Sequence, residues 1–154
     1  MPATATRTDY QRAKVYTAEQ TVRALLDDAH NFPTVRLYGS NICLPPERRW
    51  ADLDSLQHYV SRLSPGTRVR VRRGDRAAHY EHGTDTIAVP VRRTGTGTHW
   101  AMRQVVVLHE IAHKDNPNHG PEFCTRFLNL VQQEMGPEAH FLLRAMFYEN
   151  GVDI

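Results

Sequence analysis

The sequence predicts an α+β fold: a small mixed or antiparallel sheet packed against one apolar helix, with further helices at both ends. Three observations predict it. Helix formers with apolar residues at helical spacing occupy both ends of the chain. Short alternating segments punctuated by turn residues fill the middle. Between them and the last helices lies the apolar run Val105 to Ile111, which carries a histidine and a glutamate.

The elements follow in order. From Asp9 to Ala29 there is no glycine or proline, and Val15, Val22, Leu25 and Leu26 recur at helical spacing, giving an amphipathic helix. Asn31-Phe32-Pro33 ends it. Val35, Leu37, Ile42 and Leu44 alternate around Gly39-Ser40, the pattern of two short strands or one bent one. After Pro45-Pro46, a second helix is expected from Asp52 to Leu63, closed by Pro65-Gly66.

Val69 and Val71 alternate with Arg68, Arg70 and Arg72, which reads as a strand with one wet, basic face. Gly74-Asp75 is a turn, Ala78 to His82 a strand, Gly83 to Asp85 a turn and Thr86 to Val91 a strand. Pro90 cannot donate to a ladder, so this last strand is expected at a sheet edge or ending there. Thr94 to Thr98 is a loop. Three helices complete the chain, over Trp100 to Asp115, Pro121 to Met135 and Pro137 to Asn150.

Composition bounds the function classes. The chain has 154 residues, enough for one domain spanning residues 1–154 and too few for two. Hydrophobic content of 40% with 23% charged residues excludes a disordered chain. A formal charge of +2 does not by itself imply a polyanionic partner. No apolar run reaches the ~18 residues of a membrane span, and Met1 to Asp9 has no signal-like core, so a cytoplasmic location is expected. Cys43 and Cys124 form no CxxC and are expected to be free thiols.

The chemistry concentrates in His109-Glu110-Ile111-Ala112-His113. On a helix His109 and His113 stand one above the other, so both imidazoles can reach one metal ion. Glu110 is rotated by about 100° from His109, beside such a metal, where it can take a proton from water. A catalytic zinc takes three protein ligands and keeps one position open. His119 supplies the third: Pro117 stops the helix, the chain can fold back, and Pro121-Glu122 opens a new helix behind it. A chance HExxH arises in about 3 of 100 chains of this composition, and the further histidine cuts that to roughly 2 in 1000. Coincidence is therefore the weaker account.

The run HEIAH followed by His119-Gly120-Pro121-Glu122-Phe123 resembles the core of the zincin metallopeptidases, most of all the SprT-like group with HExxH and HGxxF. That likeness covers about Val105 to Phe127. The wider context, a strand over Thr86 to Val91, then Trp100 and VVLHEIAH, resembles a family of small bacterial metallohydrolases of similar length. The resemblance implies a zincin-like fold, Zn2+ bound by His109, His113 and His119, Glu110 as catalytic base, and a peptide or protein substrate. It also implies that the strand Thr86 to Val91 is an edge strand lining the cleft. The spacing matches the metzincin HExxHxxGxxH too, but Asn116 takes the glycine position and no Met-turn is evident.

Several assignments stay open on the sequence. A later glutamate, Glu134 or Glu138, could replace His119. Asp115, Glu122 or a backbone carbonyl could hold the far ring nitrogens. Tyr80, Tyr148 or His140 could stabilise an oxyanion. His30, His58, His79 and His82 lack ligand spacing. The arginines Arg68, Arg70, Arg72 and Arg73, with Arg76, Arg92 and Arg93, allow a different reading, a nucleic-acid-binding or regulatory module around a non-catalytic zinc.

Overall fold

In the computed structural model, which describes residues 8–74, 77–90 and 101–154, α1 (Arg12–Asp28) lays Val15, Ala18, Val22 and Leu26 against the interior. It begins three residues later than the apolar pattern suggests, leaving Asp9 in the segment that leads into it. A two-stranded antiparallel sheet follows, β1 (Thr34–Leu37) and β2 (Ser40–Cys43). Tyr38 and Gly39 at its tip both have positive φ, 48° and 80°, the mirror-image turn that suits the twist of a two-residue hairpin. Helix α2 (Leu53–Leu63) is capped by Asp52, whose carboxylate accepts from the Ser55 amide at 2.8 Å.

The main sheet has β3 (Arg68–Arg72), β4 (His79–Glu81) and β5 (Thr86–Pro90) in the order β3-β5-β4. β3 runs parallel to β5, and β4 antiparallel. The expected edge position of Thr86 to Val91 is therefore wrong: β5 is the central strand, and β4 is an edge. The reason is burial. All five β5 residues are buried, so its backbone needs partners on both sides. Pro90 is tolerated because it is the last residue of the ladder, opposite Arg72. The alternation in β3 also fails at its end, since Val71 is 48% exposed while Arg72 is half-buried.

Helix α3 (Gln104–Ala112) is shorter than the stretch from Trp100 to Asp115, and each of its nine residues is buried. Trp100 and the loop from Thr94 to Thr98 lie outside the described residues, as do Asp75, Arg76, Arg92 and Arg93. A buried helix start needs acceptors for its free amides. The 47–50 segment supplies them: Glu47 Oε2 accepts from the Val105 amide at 2.9 Å, and Arg48 O accepts from the Gln104 amide at 3.0 Å. Arg103, itself buried, is held by Glu47 at 2.6 Å and by Asp27 at 3.0 Å.

The chain closes with α4 (Pro121–Met135) and α5 (Pro137–Glu149), each with proline in its first turn. Gly136 alone joins them, at φ 95°, a conformation that costs any residue with a Cβ. α4 packs on both α3 and α5, α1 packs on α5, and α3 meets β4 and β5. Phe123, Phe127, Phe147, Leu108, Ile111, Leu142 and Leu143 form the centre of the core. Both cysteines are free thiols, Cys43 exposed and Cys124 buried. No helix among the described residues is long and apolar enough to cross a membrane.

Candidate metal centre

Helix α3 ends where its second histidine sits. His113 is the C-cap residue, and the chain tightens there, with the His113 amide donating to Glu110 O and that of Lys114 to Ile111 O, both at 3.1 Å. Asn116 completes the ending. Its side-chain nitrogen donates to Ala112 O at 3.1 Å, and its own carbonyl lies 2.8 Å from His113 Nδ1. Asn116 does not have positive φ, so the turn here has no need of glycine. The chain then reverses before Pro121 and brings His119 back beneath the helix.

The three imidazoles converge. Each of the three Nε2–Nε2 separations among His109, His113 and His119 is 3.2 Å. A tetrahedral metal with bonds of about 2.0–2.1 Å to nitrogen holds those nitrogens about 3.3–3.4 Å apart. The opposite ring nitrogens fix the tautomers. His113 Nδ1 faces the Asn116 carbonyl, which can only accept, so it must be the protonated nitrogen. His119 Nδ1 is 2.6 Å from Asp9 Oδ2. His109 Nδ1 has no acceptor in hydrogen-bonding alignment, but its ion-pair neighbour is Glu19 Oε2 at 2.6 Å. With protons on the Nδ1 side, three Nε2 lone pairs point at one another. Neutral imidazoles would repel in that arrangement; a cation at the centre resolves it. The buried cluster can therefore hold a metal ion.

Two of these partners were not among the expected ones. Asp115 and Glu122 do not hold the ring nitrogens; the backbone carbonyl of Asn116 does, with Asp9 and Glu19 from the other end of the chain. A signal for Glu19 existed. It sits four residues after Val15 and three before Val22, a carboxylate on the apolar stripe of an amphipathic helix, and it is buried. Asp9 carries no comparable signal. It accepts from the His119 amide through Oδ1 at 3.0 Å as well as facing the ring. Gln11, also buried, donates to His119 O at 2.9 Å and to Asp153 O at 3.2 Å, tying the entry of α1 to this turn and to the C-terminus.

The rings rest on an aromatic floor. Phe123, fully buried, lies 4.4 Å from the His113 ring in a stack and within 4.9 Å of the other two. Tyr16 of α1 covers the opposite side, 5.4 Å from His109 at 28° and 5.3 Å from His119 at 56°. Beside it opens a cavity of about 170 Å³ whose lining includes Tyr16, Glu19, Arg23, Ala78, His109 and Glu110. Glu110 thus shares a cavity with His109 of the cluster, one wall being α1 and the other the approach to β4.

The electrostatics are those of a site built for positive charge. Burial pushes the Glu110 carboxyl up to about 7, opposed by His109 and a backbone hydrogen bond from Tyr80 and reinforced by Glu19. Burial alone would lower His109, yet the charges of Glu19 and Glu110 carry it above its usual value. His113 is pulled down to about 3 by burial and by its neighbour His109, and His119 is lowered for the same two reasons. Of the three imidazoles, His109 is thus the one that holds a proton most readily. A dication would replace that proton and draw Glu110 down as well.

The remaining candidates lie elsewhere. Glu134 pairs with Arg62 at 2.6 Å, and Glu138 is exposed in the first turn of α5; neither joins the histidines. The Tyr80 hydroxyl donates to Asp85 at 2.5 Å, and Tyr148 is 76% exposed on α5, which also carries His140. Two described β3 arginines have internal partners: Arg70 pairs with Glu81, and Arg72 donates to Ala77 O at 2.9 Å. Compared with family models, curated proteins and solved structures, the chain shows no match.

Proposed function

We propose that this chain is a zinc-dependent hydrolase of the zincin kind, a metallopeptidase in which Glu110 is the general base. The observation that carries this reading is the convergence of three Nε2 lone pairs, at 3.2 Å from one another, beside a buried carboxyl in an open cavity. Zinc suits an all-imidazole, three-ligand site, and a structural zinc would ordinarily have four ligands and no use for Glu110. The SprT-like run from His109 to Phe123 supports the same reading by resemblance.

Bound there, zinc would supply a water of lowered pKa and a positive charge next to a scissile carbonyl. The chain's residues do the rest. Glu110 takes the proton of the attacking water as its oxygen bonds to the carbonyl carbon, and returns it to the nitrogen as the C–N bond breaks. Glu19, Asp9 and the Asn116 carbonyl keep the three imidazoles in the binding tautomer throughout. Ala77 and Ala78, which lead into the edge strand β4, line the cavity with Glu110, and an extended peptide would pair along that strand. The nucleic-acid reading has less support, because Arg70 and Arg72 are engaged within the sheet.

The test is zinc content and cleavage of an unfolded protein by wild type and Glu110→Gln. Retained zinc with turnover reduced by about 10²-fold or more is expected. Full turnover in Glu110→Gln excludes it as the base.

A further inference from the structure

The centre has a base and a place for a metal, but no hydroxyl or amide side chain from the HExxH helix or the turn after it lines the cavity beside Glu110. On α1, positions 12, 16, 19, 20 and 23 fall on one stripe, so Arg12, Tyr16, Glu19, Gln20 and Arg23 share a face. That face borders the cavity. Tyr16 is its only hydroxyl, and its ring is already fixed by contact with His109 at 5.4 Å and His119 at 5.3 Å.

Arg12 stands over the Tyr16 ring, 5.6 Å from its centroid. A guanidinium can only donate, so Arg12 cannot take up the Tyr16 O–H. Among the described residues that O–H has no acceptor, unlike Tyr80, whose O–H is taken by Asp85, and Tyr38, whose O–H is taken by Glu149. Glu110 lies on the same cavity, so water activated there and a carbonyl met by Tyr16 would be neighbours.

We propose that Tyr16 is a further catalytic residue of this centre: its O–H donates to the carbonyl oxygen of the scissile amide as that oxygen gains negative charge. This rests on the hydrolase reading. As the water oxygen bonds to the carbonyl carbon, the carbonyl π pair moves onto the oxygen, where the Tyr16 hydrogen bond shortens. When the C–N bond breaks the pair returns, the nitrogen takes its proton from Glu110, and Tyr16 keeps its own. Arg12 is a positioning residue that lies over the phenol ring.

The test compares the zinc-loaded full chain with Tyr16→Phe, which keeps the ring and removes the hydroxyl. Zinc affinity, by chelator competition, is expected to stay within about twofold. Binding of a phosphinic dipeptide, a tetrahedral oxyanion probe, is expected by calorimetry to weaken at least tenfold, on the order of one lost charge-assisted hydrogen bond. Hydrolysis of a peptide library should lose about 10²-fold or more in kcat with little change in KM. Equal probe affinity and equal kcat in Tyr16→Phe overturn the role of Tyr16 while leaving the hydrolase intact. Loss of zinc in Tyr16→Phe also overturns it, since the tyrosine would then be structural. A wild type that binds zinc but neither binds the probe nor cleaves any peptide removes the hydrolase reading and this inference with it.

Discussion

The metal cleft has two sides that differ in how they are held. Residues 104–123 provide all three imidazoles, and their geometry is local: a helical spacing of four, a cap bond from His113 to Asn116, and a turn closed by Pro121. Residues 9–23 provide no ligand. They provide charge, through Asp9 on His119 and Glu19 on His109, and those contacts join segments about ninety or more positions apart. Apart from the His119 backbone, which Gln11 and Asp9 also hold, ligand geometry is set by the short range, whereas protonation and metal affinity depend on how α1 docks. The two sides should therefore fail differently.

Removing a ligand breaks the local side and should have the largest effect. Spread over four ligands, the roughly 10–16 kcal/mol of a structural zinc site gives about 10²–10³-fold in affinity per ligand. His113→Ala is expected to lose at least that, measured by competition with a chromophoric chelator. Removing charge while keeping geometry comes next. Glu19→Gln and Asp9→Asn should each weaken zinc by about 10–100-fold, the scale for outer-shell partners of zinc histidines. If either variant binds zinc as tightly as wild type, α1 is a bystander and the division of labour is wrong.

How much of this could be read from the amino acids follows from the same division. His109, Glu110, His113 and His119 were legible because a helix repeat and a proline stop determine where they point. The helices were legible as well, apart from their ends: α3 loses its predicted first turn because Arg103 is extended, bridging to Arg49 and held by Glu47. The strand order was not legible. Nothing local to Thr86–Pro90 says that it lies between β3 and β4; only its complete burial does. Asp9, Glu19 and Tyr16 escaped for the same reason, since their roles exist only once α1 has docked on α5 and met the histidines. A buried-stripe carboxylate such as Glu19 was the one available clue.

The charged side also predicts a pH dependence. The carboxylates raise the pKa of His109 above its usual value, so the metal-free cluster carries a proton there to a pH above about 6.5. Zinc must displace that proton. Apparent affinity should rise on the order of tenfold per pH unit up to the elevated pKa, then level off. In Glu19→Gln the first cause of the elevation is gone and burial is left to dominate, so the rise should end at lower pH. Calorimetry in buffers of different ionisation heat would count the proton released. An unchanged profile in Glu19→Gln would break the link between α1 and the protonation of the centre.

The smallest effect on the metal is expected from the far end of α3, where the structural load is greatest. The Glu47 side chain is buried and accepts from the Val105 amide and from two nitrogens of Arg103, all within 2.9 Å. Glu47→Gln keeps one acceptor oxygen but removes the charge facing a buried guanidinium, a loss of about 1–3 kcal/mol on the scale of charge-assisted hydrogen bonds. The helix start, however, lies more than a turn from His109, and none of the contacts that fix the three imidazoles involves the 47–50 segment. The metal-free protein should therefore unfold at lower denaturant while zinc affinity, measured where both proteins are folded, stays within about twofold. A parallel fall in affinity would mean that α3 moves as a rigid rod and passes strain from its anchored start to its ligands. The imidazole geometry would then not be local after all, and the contrast between the two sides of the cleft would narrow to one of charge alone.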